Sequence, residues 1–171
     1  IIISTGMADL NTIKYAIEVV REAGNDQIIV THCVSVYPAP PELANIRAIP
    51  RLKEELDTLV GWSDHTMTDS AAAAAVALGA CYVERHITLS RAIPEGDNAM
   101  STEPGEFTQL VHVIRETEKV LGTDNRTILA EESIGVESFR RGLYARSNII
   151  KGQCIDASMI AVRRPNVGIG A

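Results

Sequence analysis

No CxxC pair, P-loop, GxGxxG or HExxH occurs in this chain. The nucleotide-binding and metalloprotease readings that those motifs carry therefore lose their main support. The cysteines are few, odd in number and widely spaced: Cys33, Cys81 and Cys154. They read as buried, inert thiols of a reducing compartment and not as a disulfide framework. Positive charge is also short, with 16 Lys and Arg against 22 Asp and Glu and a net charge of -6. The basic residues are scattered, so no nucleic-acid footprint forms. A negatively charged substrate would need local positive charge or helix N-termini. The longest apolar run, residues 71–83, has thirteen residues. That is too short to span a bilayer, and no secretory signal is visible, so no membrane contact and a cytoplasmic protein are expected.

What is present is a soluble composition, 46% hydrophobic and 22% charged over 171 residues. This length suits one domain, or one domain with a fragment of another. The chain opens on IIISTGM and closes on RRPNVGIGA, and both ends read as cuts.

Residues 1–5 are β-branched and apolar and read as a buried strand. Asp9 can cap the helix that follows, and Gly24 sits at its end. QIIVTHC, residues 27–33, is a second strand, followed by a loop forced by Pro38, Pro40 and Pro41. A helix over 46–56 contains Pro50, which predicts a broken start. Residues 57–65 read as a third strand, 69–80 as an alanine-rich helix and 81–88 as a fourth strand. Glu103-Pro104 opens an amphipathic helix that runs to Leu121 and stops at Gly122. Residues 1–122 thus read β-α four times over, the pattern of a parallel α/β sheet. A doubly wound sheet and half of a (β/α)8 barrel both fit. Residues 123–142 are polar and weakly patterned and read as a linker. Residues 143–171 alternate apolar pairs with turn residues and read as the beginning of a small β-rich domain.

Ligands of parallel α/β proteins bind at the C-terminal strand ends. Here those ends carry Ser4-Thr5, Thr31-His32, Ser63-Asp64-His65 and Glu84-Arg85-His86. His65 and His86 are 21 residues apart, close to one β/α repeat. Should their strands be neighbours, both imidazoles can enter one mouth and hold a metal with open positions. Asp64 and Glu84 could then hold the second ring nitrogens. The other reading makes each His a hydrogen-bonded strand-end residue and nothing more. His32, followed by Cys33 and the proline-rich loop, reads as structural. His112 reads as a helix surface or packing residue. Ser4 and Ser63 can donate to phosphate or carboxylate oxygens. Tyr37 can wall a substrate pocket or cover the rim.

STGMA, HCVSVYPAPPE, NIRAIPRL, VGWSDHT, AVALGACYVERHITL, IPEGDNAMSTEPGEF and VRRPNVGIG, in this order, resemble the sialic acid synthase family. That family includes N-acetylneuraminate, legionaminic and pseudaminic acid synthases and spore coat polysaccharide synthases. The resemblance covers nearly the whole chain. It implies the second half of a (β/α)8 barrel over 1–122, a linker over 123–142 and the truncated start of an antifreeze-like SAF domain over 143–171. It also implies a domain-swapped homodimer for a longer parent. The implied reaction condenses phosphoenolpyruvate with an N-acyl aminosugar such as N-acetylmannosamine. The implied cofactor is a divalent metal, manganese most often, with magnesium or cobalt as alternatives.

Position by position, the resemblance makes His65 and His86 the metal ligands and places Glu84 beside them as a strand-end carboxylate. Ser4 and Ser63 match serines that contact phosphoenolpyruvate. Tyr37 and Asp97 match residues on the sugar and metal side. Ser35 stands where some members carry asparagine, which implies a different sugar contact. Relatives often read G-P-D-H-A where this chain has Glu95-Gly96-Asp97-Asn98-Ala99, so Asn98 replaces a flanking histidine. The family's phosphate-binding lysines and proton-transferring glutamates lie in a first barrel half that this sequence does not carry. The fragment alone is therefore expected to be inactive. Two other functions fit: a non-catalytic half-barrel binding module, and another phosphoenolpyruvate-dependent 3-deoxy sugar acid synthase.

Overall fold

Four short parallel strands carry the first part of the chain: β1 (Ile2–Ser4), β2 (Ile29–Cys33), β3 (Leu59–Asp64) and β4 (Val83–Arg85). They lie side by side in chain order, each paired in parallel with the next. The computed structural model describes residues 1–171, with every side chain except those of Ile134 and Glu137. Two units divide the chain, residues 1–122 and 123–171.

Helices α1 (Leu10–Glu22), α2 (Ala48–Leu56), α3 (Asp69–Ala77) and α4 (Pro104–Leu121) complete the first unit. Asp9 caps α1 by accepting the Thr12 N–H at 2.8 Å, and that bond holds its carboxyl below the ordinary value. Pro50 does not break α2. It falls in the first turn, where a missing N–H leaves no bond unmade. Asp57, expected to open β3, instead adopts a left-handed conformation (φ 45°) that ends α2. Helix α3 stops at Ala77, three residues earlier than the alanine run suggests.

Alternation along the strands sorts their side chains onto two faces. Val30, Val60 and Trp62 face the helices. Val30 packs with Ile13, Ile17, Ile28 and Leu56, and Val60 and Trp62 pack with Ala44, Ile49 and Ala75. Thr31, Cys33, Gly61 and Ser63 lie on the other face. Gly61 is required there, because a Cβ at this position would stand 2.7 Å from the Tyr82 carbonyl oxygen. The strands' buried, mainly apolar helix-side face and their parallel pairing are those of an α/β sheet.

In the second unit, β5 (Gly142–Ala145) and β6 (Ile160–Arg163) pair antiparallel. The stretch 123–142, expected to be a linker, holds helix α5 (Ala130–Phe139). Glu131 and Glu132 in its first turn favour the positive end of the helix dipole. The Leu129 N–H donates to the Glu132 carboxylate at 3.0 Å. The cysteines also differ from expectation: Cys33 is buried, but Cys81 and Cys154 are exposed. With α3 ending early, Cys81 falls in the turn before β4 rather than in a packed element.

Candidate active site at the strand ends

Strands β3 and β4 are neighbours, with Ser63 opposite Glu84 and Asp64 opposite Arg85. His65 and His86 follow the last paired residues of these strands. Their ring centroids stand 5.2 Å apart at an interplanar angle of 72°. The Tyr37 ring, carried by the proline-rich loop after β2, lies 4.2 Å from His65 and 5.9 Å from His86. Three rings therefore meet at one strand-end mouth. Tyr37 is half-exposed, His65 is buried, and the His86 side chain is 35% exposed. The mouth thus has a fixed wall and an open side.

His65 Nδ1 lies 2.8 Å from the Val34 carbonyl oxygen, with the Cys33 sulfur 3.9 Å away. A carbonyl oxygen only accepts, so Nδ1 carries the hydrogen and Nε2 keeps its lone pair. This corrects the expectation that Asp64 would hold the second nitrogen of His65. Asp64 faces the helices and binds Arg85 instead. Glu84 likewise holds no histidine; it accepts a 2.7 Å hydrogen bond from the Ser63 hydroxyl. The carboxylate nearest His86 is Asp97, whose Oδ2 is 3.5 Å from Nδ1. Asp97 sits in the short turn Gly96–Met100 and is well exposed. A hydrogen bond from the Thr102 N–H to the His86 carbonyl (2.8 Å) holds the start of this loop segment.

The serines separate into different environments. Ser63 is buried on the face away from the helices, within the Glu84 contact. Ser35 is half-buried, its Oγ 3.9 Å from Cys33 Sγ. Ser4 is exposed at the end of β1, and its hydroxyl accepts from the Gly6 N–H at 3.4 Å. Ser4 pairs with Thr31 on β2, and β1 lies two strands from the one that ends before His65 and three from the one that ends before His86.

His32 and His112 stand apart from this mouth. His32 Nε2 bonds the Ala44 carbonyl at 3.0 Å, and its ring lies 5.2 Å from Trp62. Burial pushes its pKa below the ordinary value, against the opposing pull of the Ala44 and Asn45 carbonyls. His112 is exposed on α4. Tyr82, beside Gly61, has its pKa raised, first by burial and then by the Glu84 carboxylate.

Two contributors were not apparent in the sequence: the Val34 carbonyl, because a backbone atom has no residue signature, and Arg85. The one sequence trace of Arg85's role is that Asp64-His65 and Arg85-His86 repeat at the same 21-residue offset. Among the described residues, no three His, Cys, Asp or Glu side chains gather closely enough to cage a metal. The two imidazoles are a pair of nitrogen donors that leaves other positions open, and the Asp97 carboxylate lies beside the second of them. A cavity of about 300 Å³, whose lining includes Thr68, Asp69, Arg85, Arg91 and Glu106, opens beside the Arg85 network.

Residues 1–126 match the NeuB family. The chain belongs to the NeuB family. NeuB relatives span several named activities. N,N'-diacetyllegionaminic acid synthase of Campylobacter jejuni is 36% identical over the whole of this chain and 52% of its own length. N-acetylneuraminate-9-phosphate synthase of Mus musculus is 34% identical over 95% of this chain and 45% of its own length. Among solved structures, the spore coat polysaccharide biosynthesis protein SpsE of Bacillus subtilis matches 99% of the chain and 52% of its own length. It is 33% identical, with a TM-score of 0.66. The N-acetylneuraminic acid synthetase of Leptospira borgpetersenii, solved with citrate, matches 80% of the chain and 47% of its own length, with a TM-score of 0.71 and 33% identity. The chain spans about half the length of the curated relatives it matches. It thus shares the α/β fold and parallel sheet of sialic acid synthase structures. Among the described residues, no helix is long and apolar enough to cross a membrane.

Proposed function

We propose that this NeuB chain supplies the metal-side half of a nonulosonic acid synthase site, which condenses phosphoenolpyruvate with an N-acyl aminosugar and releases phosphate. The observation that carries the reading is the His65–His86 pair, 5.2 Å apart at neighbouring strand ends, in a chain of this family.

The donor chemistry fits a divalent metal of the manganese, magnesium or cobalt kind. His65 has one nitrogen fixed by the Val34 carbonyl and presents the other. His86 faces the same mouth with Asp97 beside it. His65 and His86 would hold the ion, and it would supply Lewis-acid polarisation of the sugar aldehyde carbonyl. Carbon 3 of phosphoenolpyruvate would then add to that carbonyl; water adds at carbon 2, and phosphate leaves by C–O cleavage.

The remaining residues position and exclude. The Tyr37 ring, tilted 37° against His65 at a centroid distance of 4.2 Å, would wall the sugar side and shield His65 from bulk water. Ser63 donates to Glu84 before substrate arrives. A phosphoenolpyruvate oxygen at Ser63 would take that hydrogen bond in place of Glu84 and leave the carboxylate free to accept from the reacting groups. Ser35 and Asp97 are assigned to sugar contacts, and Ser4, at the end of β1, to the phosphoenolpyruvate side.

In the same reading, residues 1–122 are four β/α units of a (β/α)8 barrel and 143–171 open a SAF-like domain, with a domain-swapped cytoplasmic homodimer as the whole assembly. The test is phosphate release by the intact protein, given phosphoenolpyruvate with N-acetylmannosamine or with 2,4-diacetamido hexoses, with and without metal. Metal-dependent release that requires both histidines supports the reading. Release that survives both alanine substitutions, or no consumption of any of these sugars, sinks it.

A further inference from the structure

We propose that Arg85 and Asp64 form a positioning clamp that sets the separation of the His65 and His86 imidazoles. The proposal deepens the metal-site reading above and rests on it for its link to function.

The β3–β4 ladder ends at the rung where Asp64 opposes Arg85. The histidines are the next residue on each strand, so no further rung holds them. Each turns to the face opposite its predecessor, because successive side chains alternate. Beyond it the two chains part: the His65 carbonyl accepts the Ala39 N–H and the His86 carbonyl accepts the Thr102 N–H, both at 2.8 Å, so the last rung is what ties the two histidines to each other.

That rung is held by side chains as well as backbone. The Arg85 side chain is 5% exposed and that of Asp64 is fully buried. Arg85 Nε and Nη2 both donate to Asp64 Oδ2, the first at 3.1 Å. Nη2 also donates to the Thr68 carbonyl and Nη1 to Asp69 Oδ1, both at 2.8 Å. The other oxygen of Asp64 accepts the Thr66 N–H at 2.8 Å. One guanidinium thus ties the end of β4 to the end of β3, to the loop that His65 begins, and to the first turn of α3.

Stability alone does not explain this arrangement. A buried ion pair roughly breaks even against apolar residues of similar volume, so its distinctive product is a defined geometry. The planar fork of arginine can hold three acceptors in fixed directions, which a lysine ammonium cannot. Strand β4 is only three residues long and, within this sheet, pairs on one side only. Such a short edge strand has few ladder hydrogen bonds of its own, and the Arg85 side chain adds to them at its end.

The test uses the intact protein carrying the double substitution Asp64→Leu/Arg85→Met. It removes both charges together and leaves neither one buried alone. A crystal structure of the metal-free variant reads the ring separation directly, and titration calorimetry reads Mn²⁺ affinity. We expect the centroids to leave the 5.2 Å arrangement. We expect Mn²⁺ affinity to fall roughly 10–100-fold, the loss typical of an outer partner of a metal ligand. Rings at the wild-type separation with unchanged affinity overturn the clamp. Arg85→Lys keeps the charge and loses the fork, and decides the matter if the double variant does not fold; wild-type affinity and ring separation in that variant also overturn the proposal. If the wild type binds no Mn²⁺, the metal reading fails, while the ring separation in the variants still decides the clamp.

Discussion

Ser63 donates a 2.7 Å hydrogen bond to Glu84, the residue directly opposite it on the neighbouring parallel strand. Both lie on the sheet face away from the helices, one residue before Asp64 and Arg85. The hydroxyl has one hydrogen, so it serves either the carboxylate or an arriving substrate oxygen. Substrate binding at Ser63 is therefore an exchange of partners. Glu84→Gln keeps an oxygen acceptor for Ser63 and removes the charge. The expected outcome is a lower kcat with a melting curve near that of the wild type. Ser63→Ala is expected to raise KM for phosphoenolpyruvate and to cost about 1 kcal/mol of stability by leaving the carboxylate short of a donor. Steady-state kinetics with thermal melts checks both.

His65→Ala and His86→Ala are each expected to lower metal-dependent phosphate release by at least ~100-fold, beyond the usual effect of an outer partner. His112→Ala, on the exposed side of α4, is expected to leave it unchanged. Parallel assays of the three variants with added Mn²⁺ test the contrast.

Stability should fall as the pH drops below about 6.5, the ordinary histidine value. His32 has its pKa lowered in the folded protein, chiefly by burial. Between the folded and unfolded values the unfolded chain binds more protons, so acid favours unfolding and stability rises with pH across that window. His32→Asn is expected to flatten this part of the profile. Melting temperatures of both proteins between pH 5 and 8, at about half-unit steps, compare the slopes.

Trp62 and Tyr37 should behave in opposite ways. Trp62 is fully buried in the core beneath the site, and Trp62→Ala is expected to cost about 3–5 kcal/mol. Tyr37 is half-exposed, and Tyr37→Ala is expected to change stability by about 0.5 kcal/mol or less. Its effect should appear instead as a raised KM for the sugar. Chemical denaturation and substrate titration separate the two.

Much of the first unit was legible because its signals are local. Asp9 caps α1, Gly122 stops α4, and apolar stretches at 1–5 and 27–33 contain β1 and β2. Polar strand ends marked the mouth, and the 21-residue offset of the two histidines marked one repeat. The misreadings came where an element depends on its surroundings. Helix α3 ends at Ala77 because Gly79, at φ 95°, turns the chain just after it, a glycine stop that a reading carried through to residue 80 passes over. Helix α5 was hidden in a polar stretch without clear periodicity. Two cysteines expected in the core are exposed: Cys81 lies past the early end of α3, and Cys154 lies in irregular chain between β5 and β6.

By itself the sequence determined the order of elements, the helix caps and which residue types crowd the strand ends, all set by neighbours within a few positions. Tertiary structure alone decided that β3 and β4 are adjacent, that the imidazoles of His65 and His86 meet under Tyr37, and that Asp64 serves Arg85 rather than His65. It also decided that a backbone carbonyl at Val34 fixes the His65 tautomer. Such choices depend on strand register and on which face each side chain takes, and these follow from burial of the whole sheet against its helices.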